Sequence, residues 1–412
     1  MHIEVIETAE RVVEIDLVWD ELYQRDHQAH FYLSSRFISA IALRTPGRFR
    51  LLAAWSEDGH LVGLFPLILL TQWSKTAKQV CTVIDMLGHV FDADYTGFLC
   101  DPDCEVVVAK LFADHLKTQP FARMELSFFK GSHARLEAFA DVFRAEGFSV
   151  EHREKTLNDG QTNNLICPAI ALPENFETYL SGLSANSRQK FRRLIRQLDS
   201  DPQLRITRSR PETFPQDVNL LTELWFLQYA PRKGKAKTTK LAQQFRETLM
   251  AGLASGQVDL FVLWQKGKPV AAQANYIDPV KRTSLFHVGA RDDRVRDLAS
   301  GLMLHIHAIR WAIARGLTGY DFTLGNEAYK YSFGPAEVEI AAVEIATHSG
   351  ANTTGKLHPG CRDSVTALLK RFAKQGKAEE ARIAAAQALE VWPDLLEAQK
   401  IEALLNSATP QR

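Results

Sequence analysis

The residues best able to do chemistry lie between Thr283 and Phe333, in TSLFHVGARDDRVRDLASGLMLHIHAIRWAIARGLTGYDFTLGNEAYKYSF. A strand ends near Gly289-Ala290, a short loop carries Arg291, Arg294 and Arg296, and Ser300-Gly301 then open a long helix. The free N–H groups and dipole at a helix start attract an anion, and flanking arginines strengthen the attraction. Gly301 places no side chain between a phosphate and the backbone. On one reading the loop and helix start cradle a diphosphate. On the other, the arginines pair with Asp292, Asp293 and Asp297 as an ordinary charged surface loop.

Other reactive groups point to less. His305 and His307 stand two apart on a helix, whereas side chains sharing a helix face are three or four apart, so with His287 they predict no metal site. Cys100 and Cys104, in LCDPDC, have neither the short knuckle spacing nor a second pair downstream. The five cysteines are expected to be reduced and structural. Arg188, Lys190, Arg192, Arg193 and Arg196 give one helix a cationic face. Arg232, Lys233, Lys235, Lys237 and Lys240 read as a basic loop. Neither run has the interleaved aromatic residues of a stacking platform. The whole chain balances 49 basic against 49 acidic residues, which argues against a nucleic-acid partner.

The elements that must position these groups recur. RLLAAWSEDGHLVGLFPLILL and DLFVLWQKGKPVAAQANYID each show two apolar runs around a polar turn with glycine, the pattern of a hairpin of central strands. A strand, a helix and another strand follow in each half: 95–100, 104–116 and 123–129 in the first, 283–290, 301–316 and 319–324 in the second. A helix between strands predicts a parallel pair joined by a crossover. At 412 residues the chain exceeds one ordinary core. Residues 154–175 read as a linker, and FETYLSGLSANSRQKFRRLIRQL as a helix broken near Gly182 to Ser187. From Asp363 onward three short helical patterns include an Ala-rich one before Pro393-Asp394, similar to part of a tetratricopeptide unit, and are expected to dock on the body or on a partner chain. The acidic start MHIEVIETAERVVEID is unlike a signal peptide, and the longest apolar run, Leu61 to Leu70, is too short for a membrane span. A cytoplasmic location is the expectation.

Taken in order, Leu183-Ser184-Ala185-Asn186-Ser187-Arg188 with the basic helix after it, the hairpin GKPVAAQANYI, the Ser300-Gly301-Leu302 helix start and Tyr320-Asp321-Phe322…Gly325-Asn326-Glu327…Tyr329-Lys330 resemble the CelD/BioF2-like acetyltransferases. These belong to the GCN5-related N-acetyltransferase (GNAT) superfamily and are akin to the FemAB peptidyltransferases. The resemblance spans about residues 150 to 345, and more loosely 1 to 150. Members often carry proline between the residues matching Ser300 and Gly301, which are adjacent here. The resemblance implies an α/β fold of tandem GNAT-like domains with mixed sheets plus a C-terminal helical extension. Its parts would be a degenerate half at 1–155, an acyltransferase domain at 156–350 and a helical tail at 360–412. It implies acetyl-CoA or another acyl-CoA as donor and an amine or sugar hydroxyl as acceptor, with links to polysaccharide or cell-envelope synthesis. The strand with His287 to Ala290 and the strand with Asp321 to Thr323 would splay, admitting the pantetheine arm. A backbone N–H near Val288 or Gly289 would polarise the thioester, and Arg291 to Gly301 would take the pyrophosphate.

A base and a proton donor are then expected: Glu327 first and Asp321 second for the base, Tyr329 or Tyr331 for the donor. Asp321 has a second reading as a turn cap. Lys330 would hold a phosphate or an acidic acceptor, or pair with Glu327. The first half, with CDPDC and no arginine in its corresponding loop, is expected to have lost any donor site and to shape the acceptor cleft. Two alternatives stay open. One is FemAB-like transfer from aminoacyl-tRNA; the other is a non-catalytic binding protein whose C-terminal helices serve assembly, by homodimerisation or partner docking.

Overall fold

The structure is a computed structural model that describes residues 1–157, 160–254 and 256–407. In chain order the strands begin with β1 (His2–Ile6), β2 (Phe49–Trp55), β3 (Leu61–Ser74), β4 (Gln79–Met86), β5 (Leu99–Cys100), β6 (Arg123–Phe129) and β7 (Ser149–His152). The middle of the chain supplies β8 (Thr156–Leu157), β9 (Thr162–Asn163), β10 (Ile166–Ala171), β11 (Leu204–Arg208), β12 (Val258–Gln265) and β13 (Lys268–Asp278). After them come β14 (Thr283–Arg291), β15 (Gly319–Asp321), β16 (Ala336–Glu339) and β17 (Ala341–Ala346). The helices are α1 (Ala9–Glu14), α2 (Asp16–Arg25), α3 (Ser35–Ala42), α4 (Glu105–Leu116), α5 (His133–Ala145), α6 (Phe176–Gly182) and α7 (Ala185–Ser200). They continue with α8 (Phe214–Lys233), α9 (Lys235–Ala254), α10 (Ser300–Ala314), α11 (Arg362–Lys374), α12 (Ala378–Val391) and α13 (Leu396–Ser407). The result is a mixed α/β fold with two large mixed sheets and C-terminal helices. None of the described helices is long and apolar enough to cross a membrane.

The chain divides into two compact units, residues 1–153 with 341–412, and residues 154–340. This differs from the expected boundaries at 155 and 350. Strand β17 and the C-terminal helices belong to the first unit, where β17 lies between β6 and β7. Its Ala342, Val343 and Ile345 are buried, so AAVEIA needs a central place in a sheet. Which sheet it enters is a tertiary matter. The expected docking of the tail occurs inside the same unit: Val365, Leu368, Leu369 and Phe372 of α11 and four alanines of α12 join its core. Gln387 of α12 also accepts the Val80 N–H at 2.8 Å.

In the first unit the sheet runs β1-β2-β3-β4-β6-β17-β7, with β5 beside β3. The hairpin runs FRLLAAW and LVGLFPLIL are buried almost throughout, which explains their lack of alternation. Strands β4 and β6 are parallel over Val83–Asp85 and Arg123–Glu125. Beyond that, Thr96 fills the space beside β6. Its N–H reaches the Phe128 carbonyl at 2.9 Å, its carbonyl accepts from Lys130 at 2.8 Å, and its hydroxyl donates to the Ser127 carbonyl at 2.6 Å. Only Leu99–Cys100 of the expected 95–100 strand joins the sheet, because the preceding residues form this wedge.

In the second unit the order is β11-β12-β13-β14-β15-β10-β16. The region expected as a linker supplies β10, a strand between β15 and β16; Asn158 and Asp159 of that region lie outside the described residues. The β12–β13 hairpin turns through Lys266 and Gly267, both at positive φ, and the helix break falls where Ser184 caps α7. Helices α6, α7 and α10 pack on one face of the sheet, α8 and α9 on the other. The expected basic loop at 232–240 is helical apart from Gly234, where α8 ends and α9 begins.

Candidate active site

Strand β14 has β15 beside it only at Thr283–Leu285, paired with Gly319–Asp321. From Phe286 to Arg291 it runs on with β13 on its other side and no strand replacing β15 among the described residues. The β13 register shifts between Ala274 (opposite Val288) and Asn275 (opposite Phe286), making His287 the extra residue of a bulge. At this open edge lies a cavity of about 590 Å³ walled by β13, β14, the first turns of α10, α8, Lys190 of α7 and the segment 327–332.

One end of the cavity suits an anion. Ala299 precedes α10 without capping it through a side chain, and the first helical bond runs from the Met303 N–H to the Ala299 carbonyl at 3.0 Å. The N–H groups of the opening turn therefore lack intrahelical acceptors. A Cβ on Gly301 would meet no atom within 4 Å, so this backbone faces open space. Lys190, Arg232 and Arg291 line the same cavity and give it three cations. Arg291 also pairs with Asp293 at 3.0 Å, and its N–H donates to Gln228 Oε1 at 3.1 Å. A Cβ on Gly289 would come within 3.1 Å of the Phe286 ring, so glycine keeps that ring in place.

Glu327, Tyr329 and His305 line the cavity as well. Glu327 Oε2 stands 3.0 Å from Lys330 Nζ, and that ammonium also donates to the carbonyls of Leu324 at 2.7 Å and Gly325 at 2.8 Å. Tyr329 stacks on His305 with centroids 5.7 Å apart. Burial first, then the Glu327 carboxylate, keeps the Tyr329 phenol well above its ordinary pKa, hence protonated near neutrality. Residues 185–331 match the family model of an acetyltransferase (GNAT) domain.

Among solved structures, FemX shares the fold: it superposes with a TM-score of 0.54 at 13% identity, covering 84% of this chain and 98% of its own. A conserved protein of unknown function from Bacteroides thetaiotaomicron VPI-5482 gives 0.49 at 13% identity, with 84% and 99% covered. A tandem GNAT protein from the clavulanic acid biosynthesis pathway gives 0.45 at 11% identity, with 85% and 99% covered. No curated protein matches the sequence.

The predicted residues separate in the structure. Gly289, Arg291, Gly301, Glu327 and Tyr329 line one cavity. Arg294 instead pairs with Asp292 at 2.7 Å and is 79% exposed, as in the surface-loop reading, and Arg296 is exposed without lining the cavity. Ser300 is buried, and the Val288 side chain packs with α8 on the far face of the sheet. Asp321 is buried, and its Oδ1 accepts the Thr323 N–H at 2.7 Å, the turn-cap geometry. Thr323 has φ +55, which explains why that turn needs a cap. The Tyr331 hydroxyl donates to Glu337 and lies off the cavity. Lys330 takes the second of its expected readings: at 1% exposure its ammonium pairs with Glu327 and donates to the backbone carbonyls of Leu324 and Gly325.

Sequence reasoning missed Lys190, Arg232, Gln228, Gln273 and His305 as cavity residues. The two cations sat inside basic runs whose periodicity showed a charged helix face but not which charge turns inward. His305 carried no signal beyond its place one turn into the helix. Among the described residues no cluster of His, Cys, Asp or Glu could hold a metal ion.

Proposed function

We propose that the second unit transfers an acyl group from a coenzyme A thioester to an amine or a sugar hydroxyl. The open edge of β14 leading to the uncapped, glycine-bearing start of α10 carries this reading. A pantetheine arm has amide groups that pair with an exposed strand edge as an added strand does. Its diphosphate then meets the opening N–H groups of α10, in the cavity that Lys190, Arg232 and Arg291 line.

The acceptor must lose a proton. For an amine of pKa near 10, deprotonation at pH 7 costs roughly 4 kcal/mol, so a positioned base matters. Glu327 takes that proton as the acceptor atom bonds to the carbonyl carbon. The C–S bond then breaks with its electron pair on sulfur, and Tyr329 supplies the thiol proton. Lys330 holds the loop that carries Glu327. The domain match at 185–331 supports the acyl-transfer class, and the CelD/BioF2-like resemblance favours a cell-envelope or polysaccharide acceptor.

Calorimetry with coenzyme A tests the donor site. The full chain is expected to bind it, and Gly301→Trp, whose ring projects into the cavity, is expected to lose binding while keeping its melting temperature. Undiminished affinity in that variant rules the site out. Ser300 is a poorer probe than Gly301, because a bulky group at a buried position overpacks the core.

A further inference from the structure

Acyl transfer places negative charge on the thioester carbonyl oxygen, and one wall of the cavity holds a fixed donor. His305, 4% exposed, lines the cavity beside Phe286, Gln273 and Tyr329. Its ring is clamped by Phe286 at 4.8 Å, Phe322 at 5.1 Å, Phe333 at 5.5 Å and Tyr329 at 5.7 Å between centroids. Nδ1 lies 2.8 Å from the Tyr320 hydroxyl. That hydroxyl accepts from Gln273 Nε2 at 2.9 Å, the same amide donates to Asn275 Oδ1 at 2.8 Å, and Asn275 Nδ2 donates to Ser284 Oγ at 3.0 Å.

The direction of this chain sets the tautomer. Tyr320 is fully buried and Gln273 faces its hydroxyl as a donor, so His305 Nδ1 is the acceptor left for the phenolic hydrogen. The neutral imidazole then bears its hydrogen on Nε2, the nitrogen left for the cavity. Burial, with the Lys330 charge adding to it, lowers the ring's pKa to about 3, so it takes up no second proton near neutrality. Such a ring is a weak acid and a weak base, yet a well-oriented dipole. Five polar groups in a buried row do little for stability that apolar packing would not, but they do fix one orientation.

On the reading of the cavity as a thioester site given above, we propose that His305 donates its Nε2–H to the thioester carbonyl oxygen. As the acceptor atom bonds to the carbonyl carbon, the π pair moves onto that oxygen and the hydrogen bond strengthens. When the C–S bond breaks, the carbonyl reforms, and His305 keeps its proton throughout. Glu327 and Tyr329 handle the two protons that move. Preorganised donation of this kind costs no rearrangement at the moment of reaction.

The test uses the full chain with acetyl-CoA carrying a carbon-13 carbonyl, read by difference infrared spectroscopy. The bound carbonyl stretch is expected below that of free acetyl-CoA, and His305→Leu is expected to return most of that shift while coenzyme A affinity is unchanged. Nitrogen-15 spectra of the wild-type chain are expected to show His305 protonated at Nε2 and bare at Nδ1. Gln273→Glu gives a second variant should the leucine protein not fold. Its carboxylate accepts from Tyr320, reverses the chain, moves the imidazole proton to Nδ1 and removes the donor, with the same loss of shift. An unchanged stretch in these variants, or an Nδ1-protonated ring in the wild type, overturns the role of His305 while leaving the donor site standing. Failure of the wild-type chain to bind acetyl-CoA overturns the donor site itself, and the inference with it.

Discussion

Glu327 and Lys330 are three residues apart, yet one lines the cavity and the other is sealed beneath it. Glu327→Gln keeps the shape of the base but removes its proton affinity. We expect kcat to fall about 10²- to 10⁴-fold with little change in coenzyme A affinity, measured by steady-state kinetics beside calorimetry. Lys330→Met should behave differently, because it strands backbone carbonyls and a carboxylate that the ammonium now serves. The Glu327 side chain, 36% exposed, is rescued by solvent, so the cost comes mainly from the buried carbonyls left without a donor, about 1–3 kcal/mol, readable as a lowered midpoint in denaturant unfolding. The buried histidines set a pH dependence of stability. His305 is held at about 3 and His358 at about 4, each by burial first, against an ordinary value of 6.5. On unfolding each regains its ordinary value, so the unfolded chain binds protons that the folded chain refuses once the pH falls below about 6.5. Stability is therefore full above that pH and declines below it, by up to about 1.4 kcal/mol per pH unit for each histidine until its folded value is reached. Denaturant midpoints at several pH values check this, and His305→Asn should flatten the decline.

At the scale of elements, the site depends on where two strands stop pairing. Strand β15 is three residues long, and the chain then turns through Thr323 and Gly325, at φ +55 and +93. A Cβ on Gly325 would lie 2.8 Å from Glu327 Oε2 and 3.0 Å from Thr162 Cγ2. Gly325→Ala should therefore displace Glu327 as well as strain the backbone, lowering kcat more than a loss of about 1–2 kcal/mol of stability alone would suggest. A parallel pair also begins in the first unit, but there Thr96 occupies the space that would open beside β6. Both halves of the sequence show the strand, helix, strand order that predicts a parallel pair. The wedge was not legible, because Tyr95 to Phe98 read as strand residues and their partners lie far along the chain.

For the whole molecule, we expect coenzyme A to bind with a stoichiometry of one per chain rather than two, since the first unit's counterpart is closed by its own backbone; titration calorimetry gives the number directly. Deleting residues 362–412 would strip α11, α12 and α13 from the core of the first unit and uncover Trp73, whose ring Phe372 of α11 meets at 5.6 Å. A lowered first melting transition with new binding of an apolar dye is the expected result.

What the sequence determined by itself was local in origin: the hairpins from their apolar runs and glycine turns, the helix break near Gly182 to Ser187, and the helix start at Ser300. Arg291 and Gly301 were legible in the basic loop and helix start, and Glu327 and Tyr329 through the family resemblance. Tertiary structure decided which charges turn inward. Lys190 and Arg232 come from helices remote in sequence, and Lys330 was withdrawn from the site because three carbonyls of a tight turn needed a donor. It also decided that β17 joins the first unit's sheet, since backbone pairing depends on which strand edge is free and not on the order in which strands appear.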